Sequence, residues 1–258
     1  YKGQELYLKG LDKPSRAYGY GGFIVDYKKD DDLLNDEKNI YKPNENYNSR
    51  YEDLAGKYFY VADVIKKDEN RYYLKLQELT TSDVVYYKYE TNAEYTFPFI
   101  VRAFLEKQKE LLKGKEYVIT DDVLRMSRDL HTKQAVSFTT GEVWKCTDVT
   151  IDNNINEVVL VLQNKRTITT TLPYSVYENN NSVKKIYTAQ EANTLTKKYN
   201  IHNFRRILQS KIREGRTKEM TRLAWGEPSD IGQKGNTEIW TYPAGKLTFS
   251  GDKITKTR

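Results

Sequence analysis

The chain has 258 residues, with 42 Lys and Arg against 36 Asp and Glu (net +6), 38% hydrophobic and 30% charged residues, a length suited to one large domain or about two or three small ones. No apolar run approaches the roughly 20 residues a membrane-spanning helix needs, and one cysteine with two histidines excludes an internal disulfide and argues against a metal centre built on thiolates or imidazoles. The 22 Tyr, 8 Phe and 3 Trp supply the aromatic bulk of an ordered, strand-rich protein rather than a disordered one.

No signal peptide is read at the N-terminus. The chain opens on Tyr1 without a Met, so a segment removed upstream by processing or cloning is expected. Residues 18–27, Tyr-Gly-Tyr-Gly-Gly-Phe-Ile-Val-Asp-Tyr, read as one strand after a glycine turn, and the polar run from Lys28 to Arg50 reads as surface loop. Its Asp30-Asp31-Asp32 cluster lacks the glycine and distal Glu of a calcium loop, which leaves a solvated acidic loop as the expectation.

The stretch Gly56-Lys57-Tyr58-Phe59-Tyr60-Val61-Ala62-Asp63-Val64 returns as Gly141-Glu142-Val143-Trp144-Lys145-Cys146-Thr147-Asp148-Val149. Both copies run into Leu-x-Leu-Gln, at 74–77 and 160–163, and then into a proline corner, Phe97-Pro98-Phe99 and Leu172-Pro173-Tyr174. Alternation and turn residues predict strands over 57–65, 71–79 and 84–90, and again over 115–121, 142–149, 157–163 and 166–172. Val101, Phe104, Leu105, Gln108, Leu111 and Leu112 fall at helical spacing, and Gly114 sits where a helix C-cap glycine belongs. Asp152-Asn153-Asn154-Ile155-Asn156 alternates oxygen ligands as a calcium loop does, but Glu157 replaces the required glycine, so a hairpin turn is expected. Thr188-Ala189-Gln190-Glu191 is a capping box opening a helix to about Tyr199.

The alignment of the two copies assigns the suspicious residues. Cys146 falls on Val61 and Trp144 on Phe59, sharing one strand face, so Cys146 reads as a small buried hydrophobe rather than a nucleophile. Asp63 and Asp148 read as carboxylates accepting backbone N–H groups in polar turns. His131 lacks an acidic or Ser partner at any recognised spacing, and His202 flanks a helix for which Asn203 is the expected N-cap. Tyr72-Tyr73 and Tyr86-Tyr87-Lys88-Tyr89 place aromatics on both faces of the sheet, which predicts burial under a helix and the N-terminal segment.

From Lys197 to Arg222 nine basic residues meet two acidic ones, a net of +7 where the whole chain carries +6. Phe204, Ile207, Leu208 and Ile212 form the apolar stripe of a helix whose opposite side carries Arg205, Arg206, Gln209 and Arg213. Thr217 caps a second helix burying Met220, Leu223 and Ala224, Gly226 ends it, and Pro228 prevents its continuing. A glycine-containing loop then leads to three strands around Thr237–Tyr242, Lys246–Phe249 and Lys253-Ile254.

In this part, Gly215, Thr217, Met220, Leu223, Gly226, Pro228, Trp240, Tyr242, Leu247 and Phe249 match a pattern of Gly-x-Thr helix, Gly-x-Pro stop and Trp-x-Tyr strand. Over about 55 residues the chain thereby resembles the BamE/SmpA family of outer-membrane assembly lipoproteins, whose fold is also similar to that of beta-lactamase inhibitor proteins. The whole arrangement resembles secreted lipoproteins of gut Bacteroidetes.

The expected fold is α+β and predominantly antiparallel: two repeated small β-meander or half-barrel modules, then an α-α-β-β-β BamE-like domain. The expected divisions are residues 1–50, 51–113, 114–199 and 200–258. The resemblance implies a non-enzymatic envelope protein, periplasmic or on the outer-membrane surface of a Gram-negative bacterium, acting as a binding or assembly scaffold, with a lipid anchor encoded upstream of Tyr1. Its partners would be an envelope protein or glycan, or an anionic lipid, with no nucleic acid and no cofactor. The residues expected to meet a partner are Arg205, Arg206, Arg213, Arg216, Trp225, Trp240 and Tyr242. A glycan- or cell-wall-binding module is the alternative, and an enzyme inhibitor or an enzyme of unknown class a further one.

Overall fold

The computed structural model describes residues 1–30, 37–92, 97–178 and 183–257. The chain is a mixed α and β protein whose sheets are largely antiparallel, with fifteen strands and six helices among the described residues. It divides into two compact units, one of residues 1–111 with 150–158, the other of residues 112–149 with 159–258.

The first unit contains β1 (Glu5–Leu8), β2 (Phe23–Ile24), α1 (Tyr51–Leu54), β3 (Tyr58–Lys66), β4 (Arg71–Glu78), β5 (Val84–Glu90), β6 (Phe99–Val101) and most of α2 (Arg102–Leu112). The strands form one sheet in the order β2-β5-β4-β3-β1-β6. Laid flat, β2 and β6 would lie about 24 Å apart at the usual strand spacing. Yet the rings of Phe23 and Phe99, from those two strands, have centroids 5.9 Å apart, with Tyr87 5.1 Å from Phe99. The sheet is therefore curled until its ends meet, and Leu6, Leu8, Phe59, Val61, Leu74, Leu76 and Val85 fill the interior with these rings.

The curl begins in β3. A register shift against β4 falls between Val61 and Asp63, so the inward side chains run Phe59, Val61 and then Val64 instead of alternating by two. An extra residue of this kind bends a strand and increases its twist. Asp63 lies at that bulge, mid-strand rather than in the expected turn, and its carboxylate accepts the N–H of Val64 and the ammonium of Lys2 at 2.8 Å.

The polar run after residue 27 is less loop-like than its composition implies. Asn39, Ile40, Tyr41 and Ser49 are buried, and only Phe23–Ile24 of the run 18–27 forms strand. Asp30 is ion-paired to Lys88 at 3.1 Å and accepts from Tyr73, so it is a packed anion rather than a solvated one; Asp31 and Asp32 lie outside the described residues. Tyr27 and Asp30 thus cover the outer face of the sheet where Tyr73 is buried. On α2, Leu105 and Leu112 are buried, whereas Phe104 and Leu111 of the expected apolar stripe are exposed.

The second unit carries β7 (Glu116–Ile119), α3 (Asp121–Met126), β8 (Val143–Asp152), β9 (Glu157–Asn164), β10 (Thr169–Pro173), α4 (Tyr174–Glu178), β11 (Ile186–Thr188) and α5 (Ala189–Leu208), with the β8–β9 hairpin tip falling in the first unit. Its first sheet has the order β10-β9-β8-β7-β11. β7 pairs antiparallel with both β8 and β11, as β1 pairs with both β3 and β6. In β8 the buried positions run Trp144, Cys146, Val149, the same phase slip as in β3, and the Asp148 carboxylate accepts the Val149 N–H at 3.0 Å. In both sheets the connection from first to second strand also covers the edge of the fourth. In the first, Phe23 pairs with Tyr87; in the second, the Leu130 N–H donates to the Thr169 carbonyl at 2.7 Å and the Thr170 hydroxyl to the Arg128 carbonyl at 2.8 Å. A covered edge is closed to pairing with other chains.

The Thr188–Glu191 capping box opens α5 as expected. The helix breaks at Asn200, whose φ is 63°, and the Asn200 side chain accepts the Asn203 N–H at 3.0 Å, so Asn200 rather than Asn203 caps the second half. Phe204 and Leu208 pack with Val118 and Tyr187, laying α5 over β7 and β11. α6 (Lys218–Trp225) is capped by the Thr217 hydroxyl, which accepts the Met220 N–H, and ends at Gly226. A second sheet follows, β12 (Asp230–Lys234), β13 (Thr237–Tyr242), β14 (Gly245–Ser250) and β15 (Lys253–Thr257), in sequential order. β12 occupies the stretch expected to be a glycine-containing loop: Ile231 and Gly232 pair with Trp240 and Ile239, and as an exposed edge it carries no apolar alternation to betray it.

Replacing Phe99 by Ala removes the ring that joins the two ends of the first sheet and is expected to cost about 3–5 kcal/mol, while Leu111→Ala on the exposed face of α2 stays within about 0.5 kcal/mol; urea unfolding of the two variants tests the difference.

Glu78, fully buried at the end of β4, supplies a pH dependence. Burial alone would raise its carboxyl, but hydrogen bonds from Thr81 and Thr80 outweigh it and hold the group at about 2, below its ordinary 4.5. A depressed carboxyl stabilises the fold above its unfolded value, and that contribution disappears as pH falls through the folded one. Stability should thus decline as pH drops from about 4.5 towards 2, and Glu78→Gln should flatten that acid limb while lowering neutral stability by about 1–3 kcal/mol, as followed by circular dichroism.

Candidate functional site

The structure separates the residues expected to meet a partner. Trp240 and Tyr242 alternate on the inner face of β13 and are buried with Leu247, Phe249 and Ile254, so they are core residues and present no stacking platform. The Trp240 indole N–H donates to Glu238 at 3.1 Å, and the Arg222 guanidinium lies 4.5 Å from the ring centroid, closing its remaining face. The Tyr242 hydroxyl donates to the Gly226 carbonyl at 3.1 Å, locking the end of α6 to the sheet. Trp225 is half-buried, edge-on to Tyr242, with its N–H donated to the Ser210 carbonyl at 2.8 Å. Arg205 and Arg213 are exposed, Arg206 is half-buried with its Nε donated to the His202 ring at 3.0 Å, and Arg216 is enclosed. The residues left to face a partner in solution are Arg205, Arg213 and parts of Arg206 and Trp225.

A concave site lies elsewhere, in the first unit. A cleft of about 510 Å³ runs between the connection joining β1 to β3 and the end of β5, lined among others by Gly19, Tyr20, Gly21, Tyr47, Asn48 and Tyr87. Tyr20 and Tyr87 are buried supports: the Tyr20 hydroxyl donates to the Lys9 carbonyl at 2.7 Å and its ring stacks on Tyr51, while Tyr87 packs on Phe23. Burial raises the Tyr20 hydroxyl far above its ordinary pKa, so it stays a neutral donor. Tyr47 is exposed and offers its ring to the cleft. Gly19 makes the geometry possible, since a Cβ there would stand 2.2 Å from the Ser49 carbonyl oxygen and its φ is +76°. Asp30, Lys88 and Glu90 add charge of both signs at the same cleft.

Rings, amides and glycine backbone can stack on and hydrogen-bond an extended polar ligand. Sequence reasoning missed this site because it reads 28–50 as loop and 18–27 as strand. The signal present was the density of Gly and Tyr in Tyr18-Gly19-Tyr20-Gly21-Gly22.

The residues most suggestive of chemistry are held in structural roles. The Asp129 carboxylate accepts the N–H groups of Thr132, Thr169 and His131, which hold it at about 2 and tie the backbone of His131 into a turn. Among the described residues no group of three His, Cys, Asp or Glu side chains is placed to hold a metal ion. Cys146 is fully buried, its thiol donating to the Asp148 carbonyl at 3.3 Å, and burial pushes it up to about 11.

Comparison with protein-family models, curated proteins and solved structures returns no match to this chain.

A thiol at about 11 is almost wholly protonated at pH 8 and unreactive. Labelling of Cys146 by a thiol reagent should therefore be at least about a hundredfold slower in the native protein than in urea, as read by mass spectrometry.

Proposed function

We propose that this chain is a non-enzymatic protein of the bacterial cell envelope, periplasmic or surface-exposed, that acts as a binding and assembly scaffold. The observation that supports the scaffold part of this reading is the common strand order of the first two sheets, in which the first strand lies between the second and the last; the envelope part rests on the resemblance of residues 200–258. We read the two as copies of one small half-barrel, a framework on which binding surfaces can be built. What the copies share is a glycine turn, the slip in burial phase with its Asp-Val pair, and the Leu-x-Leu-Gln core strand. These are devices of folding, so duplication multiplies surface rather than chemistry.

Residues 200–258 we read as a BamE/SmpA-like domain. Two helical segments leading into an antiparallel sheet, with Thr217 as the cap that opens α6 and Gly226 as its stop, support that reading, and β12 is an addition to the expected three strands. Envelope partners would meet Arg205, Arg206 and Arg213 beside Trp225. A lipid anchor encoded ahead of Tyr1 belongs to the same proposal. Fractionation of cells making the complete gene product should find it outside the cytoplasm and with the envelope; recovery in the cytosol would overturn the reading.

The tyrosine-lined cleft favours a second reading, a glycan- or cell-wall-binding module. Under it, Tyr47→Ala should weaken binding to a glycan array or to sedimented peptidoglycan about tenfold, roughly 1.4 kcal/mol, without shifting the thermal midpoint, because Tyr47 is exposed and supports no core. Unchanged binding by that variant would remove the cleft from the role.

A further inference from the structure

Arg216 lies in the connection between α5 and α6 and is fixed at both backbone ends. Its N–H donates to the Arg213 carbonyl at 3.4 Å, and its own carbonyl accepts the Ile254 N–H at 2.8 Å. Its neighbour Thr217 caps α6 and bridges to Lys253. The side chain is only 2% exposed, and its Nε, Nη1 and Nη2 are all buried without a hydrogen-bond partner among the described residues.

A guanidinium has five donors in a rigid fork and keeps its proton under all ordinary conditions. Enclosing it with neither hydrogen bonds nor a counter-charge is strongly destabilising. The carboxylates of this part of the chain are paired with other cations: Glu219 with Lys198 at 2.6 Å, Glu238 with Lys218 at 2.7 Å and Glu227 with Arg222 at 2.8 Å. Burial, and after it the charges of two more arginines, Arg213 and Arg206, pull Arg216 down to about 10, which still leaves it charged at neutral pH. Enclosed water would satisfy the donors but not the charge.

We propose that Arg216, with Arg213 and Arg206, forms a seat for a tetrahedral oxyanion of the phosphate class, either free or as a lipid headgroup. The arginine fork matches two oxygens of such an anion, and three cations without an acid favour a dianion over a carboxylate or chloride. Arg206 gives its Nε to His202 and keeps its terminal nitrogens for the anion. Arg213, exposed, marks the side of approach. The inference does not depend on the envelope reading, since a free anion would serve a protein in any compartment.

The test is thermal unfolding in a low-salt amine buffer, with inorganic phosphate added to about 10 mM. Phosphate should raise the midpoint of the wild-type chain, raise that of Arg213→Ala only at roughly tenfold higher concentration, and leave Arg216→Met unmoved. Without phosphate, Arg216→Met should melt at or above the wild type, because the uncompensated charge is gone. An equal phosphate shift in wild type and Arg216→Met, or a shift in neither, would overturn the proposal. If Arg216→Met does not fold, calorimetric titration of phosphate into Arg216→Lys decides: an affinity equal to wild type rejects the site, and a lower one supports it. Co-sedimentation with phosphatidic acid vesicles that is lost on changing Arg216 assigns the anion to a lipid headgroup, whereas a phosphate shift without co-sedimentation assigns it to the free ion.

Discussion

The first sheet has to bring β2 and β6 together over one aromatic interior, and the bulge in β3 begins that bend. A strand that alternated strictly by two would carry Asp63 inward; the extra residue after Val61 turns Val64 inward instead and leaves Asp63 beside the backbone N–H that its carboxylate takes. The Asp-Val pair thus recurs at 63–64 and 148–149 for a local reason. One short side chain stabilises the strand where its ladder is interrupted, and the curl then lets Phe23, Tyr87 and Phe99 meet.

Curling creates a second requirement, since the fourth strand would otherwise be a bare edge. In both sheets the connection between the first and second strands supplies the cover, as a two-residue strand in one and as hydrogen bonds from 128–130 in the other. In the first unit that connection is long, and its glycines let it pass close to Ser49 while leaving a cleft against β5. A structural duty of the loop therefore places Tyr20 and Tyr47 where a ligand can reach one and be supported by the other.

Charge in the C-terminal segment is divided by the same packing. Lys198, Lys218 and Arg222 are consumed in ion pairs, and Arg222 also covers the face of Trp240. Arg205 and Arg213 remain in solvent, and Arg216 is drawn inside with no acid to meet it. A net charge counted along the sequence treats these arginines as equal, although solvent stabilises two of them and the fold must stabilise the third.

The sequence by itself determined the elements whose signals are local. The strands from Tyr58 to Glu90 and from Val143 to Pro173, the capping box at Thr188, the Thr217 cap and the Gly226 stop all follow from alternation or from short-range hydrogen bonding. Burial of Cys146 was legible too, because aligning the two copies set it against Val61 in a common core position. Tertiary structure decided what depends on distant partners. β12 forms only because β13 offers it an edge, Trp240 and Tyr242 face inward because the sheet closes on α6, and the cleft exists because residues 19–24 and 47–48 are laid against β5. The enclosure of Arg216 belongs with these, since an arginine's environment is set by the surfaces that surround it and leaves no periodic trace in its own stretch of chain.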